Sequence, residues 1–334
     1  MSNLLKYPAI NAKLKAMHSK ILNKEEYEEL IKQGHLKDVI YFLKNKFYIL
    51  ENINENMHRE QIEKELNNLF IVDVIKLNKY LNKSEKNLYM SFISKYELNC
   101  IKNVFRNVTT NKDVVNNLKN IDNWTHEIFK NIDGINNINE EKEFLEIIKK
   151  EDYYSIFEEY ESIIENAPLE DIEVKLDKYY FKKIYLLSKK VNKDLQEIIG
   201  KEIDLLNVIW IYRAKNFFGY NLDQIKNIII PINYKINKEK MNSLINSSSF
   251  EDMKQILNNT IYKNVFKDEK NIEYDKNTFL NSVYLKKFQT ELFNITTIFC
   301  YMNLVDFEIK NIINIIEGIR YGININEIQK RIIV

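Results

Sequence analysis

Glycine and proline are scarce in this chain, and no other feature of the sequence restricts the fold as strongly. Six glycines and three prolines occur among 334 residues, whereas average usage is about 7% for glycine and about 5% for proline. Sheet-rich folds need many tight turns, which rely on these two residues for their backbone angles. The sequence therefore predicts an all-α fold. At this length, two or three compact units are expected.

The charges of the chain nearly cancel. There are 49 basic and 48 acidic residues, which gives a formal net charge of +1. Nucleic acids and anionic membranes attract proteins with a basic surplus, so we expect no nucleic-acid partner. A net charge averages over the whole surface and does not exclude a local basic patch.

Cysteine usage and hydropathy indicate the cellular compartment in which the chain is expected. Cys100 and Cys300 lie in apolar runs without the spacing of a metal pair, so both are predicted to be buried. Their scarcity and the lack of a cleavable N-terminal signal point to a reducing cytosol. No apolar run reaches the 18 or more residues that a membrane helix needs. A soluble protein is expected.

The segments 22–43 and 236–257 are two copies of one pattern. They align without a gap and are identical at seven of 22 positions. Apolar positions stay apolar, and their spacing of three and four is that of a helical face. Asn23 and Asn237 stand where an N-cap residue is preferred. Each copy is therefore predicted to be a short helix, a polar turn and a second helix, and a weaker middle copy falls at 143–157.

A second set of segments indicates that the repeat occurs three times. "ELNCIKNVFR", "DLLNVIWIYR" and "EIKNIINIIE" contain Glu97, Asp204 and Glu308 as their first acidic residues, at spacings of 107 and 104. Apolar residues follow at the same helical steps. Such a period is longer than a solenoid repeat of about 20–50 residues, so a pseudo-threefold arrangement of three similar helical subdomains is expected. The predicted units are residues 1–112, 113–230 and 231–334.

The sequence contains no pattern typical of an active site. It has no glycine-rich phosphate loop, and its four histidines lack the spacing of a zinc site. Acidic runs such as "KEEYEEL" resemble solvated helix faces, and the many aromatic residues suit helix packing and protein interfaces. We predict no catalytic, cofactor-binding or metal-binding residues, and a binding or mechanical role in place of an enzyme activity. The histidines are His18, His35, His58 and His126.

Three segments carry a family resemblance. "INAKLKAMHSKILNKEEYEELI" (10–31) looks like an opening helix, "LLNVIWIYRAKNFFGYNLDQI" (205–225) is similar to a central helix with Arg-Ala-Lys and a following glycine, and "EIKNIINIIEGIRYGININEI" (308–328) looks like a terminal signature with Gly-x-Arg-Tyr-Gly. In this order and spacing they resemble the C subunits of archaeal and bacterial V-type (A/V-type) ATPases, whose counterparts in the eukaryotic vacuolar enzyme are the d subunits. The resemblance covers the whole length of the chain.

The resemblance implies a mechanical function. Members of that family are all-α, funnel-shaped proteins of three similar domains, peripheral on the cytoplasmic face of the membrane. The expected partners are the axle subunits of the central stalk and the membrane proteolipid rotor ring, in a hetero-oligomeric complex with one copy of this chain. The expected task is to couple axle and ring for proton or sodium transport, while other subunits bind nucleotide. The alternative is a helical scaffold or adaptor that binds peptide or protein partners outside an ATPase.

Overall fold

A computed structural model describes residues 3–47, 52–109, 141–158, 169–291 and 294–334. Within these ranges the regular secondary structure is helical and no strand is formed, which confirms the predicted all-α class. The α-helices are α1 (Asn3–His18), α2 (Lys24–Lys32), α3 (Leu36–Lys46), α4 (Arg59–Ile75), α5 (Lys83–Thr109), α6 (Glu141–Ile148), α7 (Tyr154–Glu158), α8 (Leu169–Val191), α9 (Lys193–Asn216), α10 (Leu222–Ile228), α11 (Lys238–Asn246), α12 (Phe250–Leu257), α13 (Ile272–Thr290), α14 (Thr296–Arg320) and α15 (Ile325–Gln329). Short 3-10 helices lie at Lys76–Tyr80 and Glu269–Asn271.

The chain divides into two compact units. The first contains Met1–Glu85 together with Lys270–Val334, so both ends of this chain belong to it, and the second contains Lys86–Glu269. A repeat can pack with residues of the next repeat, so this division does not test where each repeat begins. The predicted boundaries of the three repeat units stay a prediction.

Helix α14 is the central helix of the first unit. It packs against α13, α4 and α1, and most of its 25 residues are buried. A helix that is apolar on most sides is stable in water only when neighbouring elements cover those sides. Ile312 and Ile316 expose none of their surface, and each such side chain contributes about 1.5–3 kcal/mol when it is removed from water.

Helix α9 has the corresponding place in the second unit. It packs against α8, α10 and α11, and it begins at the N-cap Asn192, whose side chain accepts the N–H of Leu195 at 2.9 Å. The aligned segment that starts at Asp204 lies inside α9, and Leu205 and Val208 are buried as its helical spacing predicts.

Gly200 allows α9 to approach Tyr234 closely, and this contact yields a stability prediction. A Cβ atom at position 200 would lie 2.5 Å from Cγ and 2.9 Å from Cβ of Tyr234. A change of rotamer can move Cγ, but Cβ moves only with the backbone. Overpacking costs about 1–3 kcal/mol, and helix propensity returns up to about 1 kcal/mol. Gly200→Ala is therefore expected to lower the free energy of unfolding by about 1–2 kcal/mol in a denaturant titration.

Gly318 provides the comparison for this prediction. Its added Cβ atom would meet Cδ1 and Cγ1 of Ile328 at 2.7 Å, and these atoms belong to the outer part of a side chain that can change its rotamer. Gly318→Ala is therefore expected to cost less than Gly200→Ala. A stabilised Gly200→Ala variant would contradict the close approach to Tyr234.

The helical pairs α2–α3 and α11–α12 confirm the predicted structure of the repeat. Asn23 accepts the N–H of Glu26, and Asn237 accepts the N–H of Lys240, both at 2.9 Å, so both predicted N-caps are formed. The predicted middle copy also contains two helices, α6 and α7. Buried positions correspond between the first and third copies. They are Tyr27, Leu30, Ile31, Val39 and Leu43 in one, and Met241, Leu244, Ile245, Met253 and Leu257 in the other.

Candidate functional site

The three histidines that the structure describes belong to different elements. His18 stacks on Phe288 with ring centroids 4.7 Å apart, and burial lowers the pKa of its imidazole. His35 and His58 are the N-cap residues of α3 and α4, and His126 lies outside the described residues. These positions serve local helix structure and packing.

The two cysteines differ in burial. Cys300 is buried as predicted, and burial raises the pKa of its thiol. The same prediction was wrong for Cys100, which is half-buried, because it lies at the edge of the buried stripe that Leu98 and Ile101 form on α5. In the described part of the chain, no cluster of His, Cys, Asp and Glu can hold a metal ion. No helix there is long and apolar enough to span a membrane.

The three acidic residues of the aligned segments are all buried. Glu97, Asp204 and Glu308 expose 7%, 0% and 1% of their surface. Loss of water favours the neutral form of a carboxyl group, and burial raises the pKa of Glu97 and of Glu308 to about 7. Burial also raises the pKa of Asp204. Buried carboxyl groups need hydrogen-bond donors, so the donors show what each acid holds in place.

Glu308, on α14, holds the start of the first helical pair. Its Oε1 atom accepts the backbone N–H of Leu22 at 3.0 Å, and its Oε2 atom accepts the hydroxyl of Tyr27 on α2. Leu22 directly precedes the N-cap Asn23. The carboxyl group thus connects one of the last helices of the chain to one of its first.

Asp204, on α9, holds the third helical pair in the same way. It accepts the backbone N–H groups of Tyr234, Lys235 and Ile236 at 3.1, 2.6 and 3.1 Å. It also accepts the hydroxyl of Tyr262 at 2.9 Å. Ile236 directly precedes the N-cap Asn237, as Leu22 precedes Asn23, so the two acids bind equivalent backbone positions.

Glu97, on α5, has the corresponding contact to the middle copy. It accepts the hydroxyl of Tyr153 at 2.9 Å, directly before α7. The sequence predictions missed the tyrosines because these have no common position in the repeat. Tyr27 lies in α2, Tyr153 lies between α6 and α7, and Tyr262 follows the end of α12. The only sequence signal was the acid itself, which recurs at the same step of each aligned segment.

An asparagine one helical turn after two of the acids holds a second segment. Asn207 donates from Nδ2 to the carbonyl of Ile230 at 2.9 Å, and its Oδ1 accepts the N–H of Ile230 at 2.7 Å. Asn311 makes the same two bonds with Ile333, at 2.7 and 3.0 Å. In the first copy this position is Cys100. In the pattern acid-x-x-Asn, the acid binds one distant segment and the asparagine binds another. Two side chains on a single helical turn thus hold two segments of the chain in place.

The turns after α9 and α14, together with the first residues of α10 and α15, expose apolar side chains at equivalent positions. Phe218 and Leu222 follow α9, and Tyr321 and Ile325 follow α14 at an offset of 103 residues; all four are exposed. A glycine with positive φ lies between the residues of each pair, at +62° and +65°. Their recurrence at equivalent positions of two repeats makes these side chains candidates for a contact surface. We refer to the segments 217–222 and 320–325 as the exposed loops.

These features define an all-helical protein in which buried carboxyl groups hold repeated helical pairs and loops present apolar side chains. The chain belongs to the ATP synthase (C/AC39) subunit family, whose model matches residues 10–331. The resemblance inferred from the three segments is thereby confirmed.

The names of individual relatives agree with this family assignment. The chain is similar to the A-type ATP synthase C subunit of Methanosarcina barkeri, with 24% identity over 249 residues, covering 71% of this chain and 67% of that protein. It is also similar to the A-type ATP synthase C subunit of Methanocaldococcus jannaschii, with 23% identity over 356 residues, covering 99% of this chain and 87% of that protein.

Proposed function

We propose that the chain is a non-catalytic central-stalk subunit of an A/V-type ATP synthase or ATPase. It is peripheral on the cytoplasmic face of the membrane and couples the rotating axle to the proteolipid rotor ring during proton or sodium transport. The observation that carries this proposal is the family match across residues 10–331. The names of the relatives make them subunits of an ATP synthase, so other subunits of such a complex are the proposed partners.

The order of the acid–tyrosine pairs supports a pseudo-threefold, funnel-like arrangement of the three predicted units. The pairs are Glu97 with Tyr153, Asp204 with Tyr262 and Glu308 with Tyr27. In each pair the acid belongs to one predicted unit and the tyrosine to the next, and the third unit pairs with the first. A linear array has contacts between successive repeats alone. The closed order therefore favours a collar of three units.

The exposed loops are the proposed contact with partner subunits. They lie at the same step of the second and third predicted units, so a collar presents the same kind of apolar contact more than once. A rotor ring, which is itself built from copies of one subunit, offers a repeated surface that suits such contacts.

Co-purification from membranes tests this function. The tagged chain is expressed in its own cells, membranes are solubilised in mild detergent, and the captured proteins are identified and quantified by mass spectrometry. Axle subunits and rotor-ring proteolipid are expected, with one copy of this chain per complex. A free pool bound to unrelated partners would contradict the proposal and favour the scaffold alternative.

Charged substitutions in the exposed loops are expected to weaken this assembly. Phe218→Asp with Leu222→Asp, or Tyr321→Asp with Ile325→Asp, should reduce the recovered partner subunits about tenfold, since one or two interface anchors contribute about 1–2 kcal/mol. The thermal unfolding midpoint should stay unchanged because these side chains are exposed. Tyr41→Asp, at an exposed aromatic residue outside the loops, is the matched control, and an equal loss in this control would exclude a specific contact.

A further inference from the structure

In the described part of the chain, the middle helical pair (α6 and α7) has the fewest hydrogen bonds to its buried acid. Asp204 accepts four bonds, three of them from backbone N–H groups. Glu308 accepts one backbone N–H and one hydroxyl. Glu97 accepts the hydroxyl of Tyr153 alone, at 2.9 Å. The middle pair is therefore the one whose polar attachment rests on a single bond.

The number of donors decides how readily a buried acid loses its proton. An ionised carboxylate accepts hydrogen bonds at both oxygens, and two or three donors can offset the loss of water. Glu97 is 7% exposed and has one donor. Burial is the largest effect on its pKa, which rises to about 7, and the bond from Tyr153 acts in the opposite direction. The neutral form therefore fits this site better than the ionised form.

The charges around Glu97 add to this preference for the neutral form. Glu151 and Asp152, on the turn between α6 and α7, both raise its pKa. Lys183 on α8 lowers it, but its ammonium group also bonds to Asp152, at 3.3 Å, and to the hydroxyl of Tyr179, at 2.8 Å. An ionised Glu97 thus faces two like charges on the turn that leads into α7. The titratable groups that meet here from α5, the turn and α8 are Glu97, Cys100, Glu151, Asp152, Tyr153, Tyr179 and Lys183.

A second contact of the middle pair with α5 is apolar. Phe105 of α5, Phe144 of α6 and Phe157 of α7 form a triangle of rings, with centroids 5.7, 5.3 and 5.4 Å apart. All three side chains are buried, and their packing does not depend on protonation. A change of charge at Glu97 therefore acts on the turn and leaves these ring contacts chemically unchanged.

We propose that Glu97 is a pH-sensitive latch for the middle helical pair. In its neutral form the carboxyl group holds the turn before α7 on α5. When its proton leaves to solvent, the charge is stable only after the turn has moved away and admitted water. Helices α6 and α7 then open locally while the rest of the second unit stays folded. The inference goes beyond the stalk function and stands or fails independently of it.

The latch weakens as the pH rises. In the closed form the pKa of Glu97 is about 7, and in the open, solvated form it returns to its ordinary value of 4.5. The closed form therefore has its full advantage below about pH 4.5 and loses it progressively up to about pH 7. Because one pKa unit corresponds to a factor of ten, the open fraction should rise at least about tenfold between pH 5 and pH 8.

Hydrogen exchange of the full chain, followed by mass spectrometry from pH 5 to pH 8, tests the proposal. Protection factors divide the intrinsic exchange rate by the measured rate, so they report local opening without the pH dependence of the exchange chemistry. For the amides of residues 144–157 they should fall at least about tenfold. Glu97→Gln cannot ionise, and its protection factors should stay level. Glu308→Gln, at the buried acid of the first helical pair, is the matched control and should keep the fall.

Tyr153→Phe provides a second readout. The hydroxyl of Tyr153 lowers the pKa of Glu97, so its removal should extend the fall in protection to higher pH. Circular dichroism at pH 5 checks that each variant is folded.

Four results would overturn the proposal. They are level protection factors in the unchanged chain, an undiminished fall in Glu97→Gln, a fall that ends at lower pH in Tyr153→Phe, and the loss of the fall in Glu308→Gln. The last result would show that residues 144–157 exchange through unfolding of the whole chain and not through local opening.

Discussion

Replacing Asp204 by alanine is expected to lower the free energy of unfolding by about 3–5 kcal/mol. The carboxyl group accepts the N–H groups of Tyr234, Lys235 and Ile236 and the hydroxyl of Tyr262. Of these four bonds, those from the N–H of Ile236 and the hydroxyl of Tyr262 are buried. Each buried donor that loses its acceptor costs about 1–3 kcal/mol. Denaturant titration measures the loss, and hydrogen exchange should show faster exchange at the amides of residues 234–236.

Two substitutions serve as controls for this prediction. Asp204→Asn keeps one acceptor oxygen and is expected to lose less stability than Asp204→Ala. Asp223→Ala removes an exposed carboxylate on α10 and should change stability by less than about 0.5 kcal/mol, as surface substitutions usually do. A loss below about 1 kcal/mol for Asp204→Ala would contradict the role of this carboxyl group in holding the third helical pair.

Replacing Glu308 by glutamine is expected to remove a pH dependence of stability. Burial raises the pKa of Glu308 from 4.5 to about 7 in the folded protein, so the folded state holds this proton more strongly than the unfolded state. The resulting stabilisation is complete below about pH 4.5 and is lost as the pH rises through about 7. The linked free energy is about 3 kcal/mol. Lys46 and Glu26 act on the carboxyl group in opposite directions, and burial is the larger effect.

The measurement is the difference in unfolding free energy between the unchanged chain and Glu308→Gln, followed from pH 5 to pH 8. This difference should fall with rising pH, whereas Glu97, which titrates in the same range, affects both proteins equally and cancels. Glu327→Gln is the matched control, because Glu327 is exposed. An unfolding difference that stays constant from pH 5 to pH 8 would show that Glu308 is already ionised in the folded state across this range and would contradict the prediction.

Local structure was largely predictable from the sequence. The shortage of turn-forming residues led to the all-α class, and the N-caps Asn23 and Asn237 were assigned from residue type and position. These features depend on residues close together along the chain, whose helical geometry is known in advance. The exposed loops were only partly predictable. Their glycines were visible, but the exposure of Phe218 and Tyr321 depends on what packs nearby.

The burial of Glu97, Asp204 and Glu308 could not be predicted from the sequence. Their recurrence at one step of three segments was visible, but an acidic residue on an amphipathic helix is usually solvated. Burial requires donors, and these come from distant parts of the chain: Tyr153, Tyr262 and Tyr27 lie 56, 58 and 281 residues away from their acids. Tyr27 itself sits inside the acidic run "KEEYEEL", which resembled a solvated face.

Composition and spacing along the chain thus carry the helical class, the repeated helical pair and the family resemblance, and all three could be inferred before any folding was considered. Packing in three dimensions is what places Glu97, Asp204 and Glu308 in the interior and gives each of them a tyrosine hydroxyl. The tyrosines share no common position in the repeat, so no periodic pattern marks them. Which tyrosine bonds to a given acid depends on which hydroxyl group lies within reach of the carboxyl group once the helices have packed.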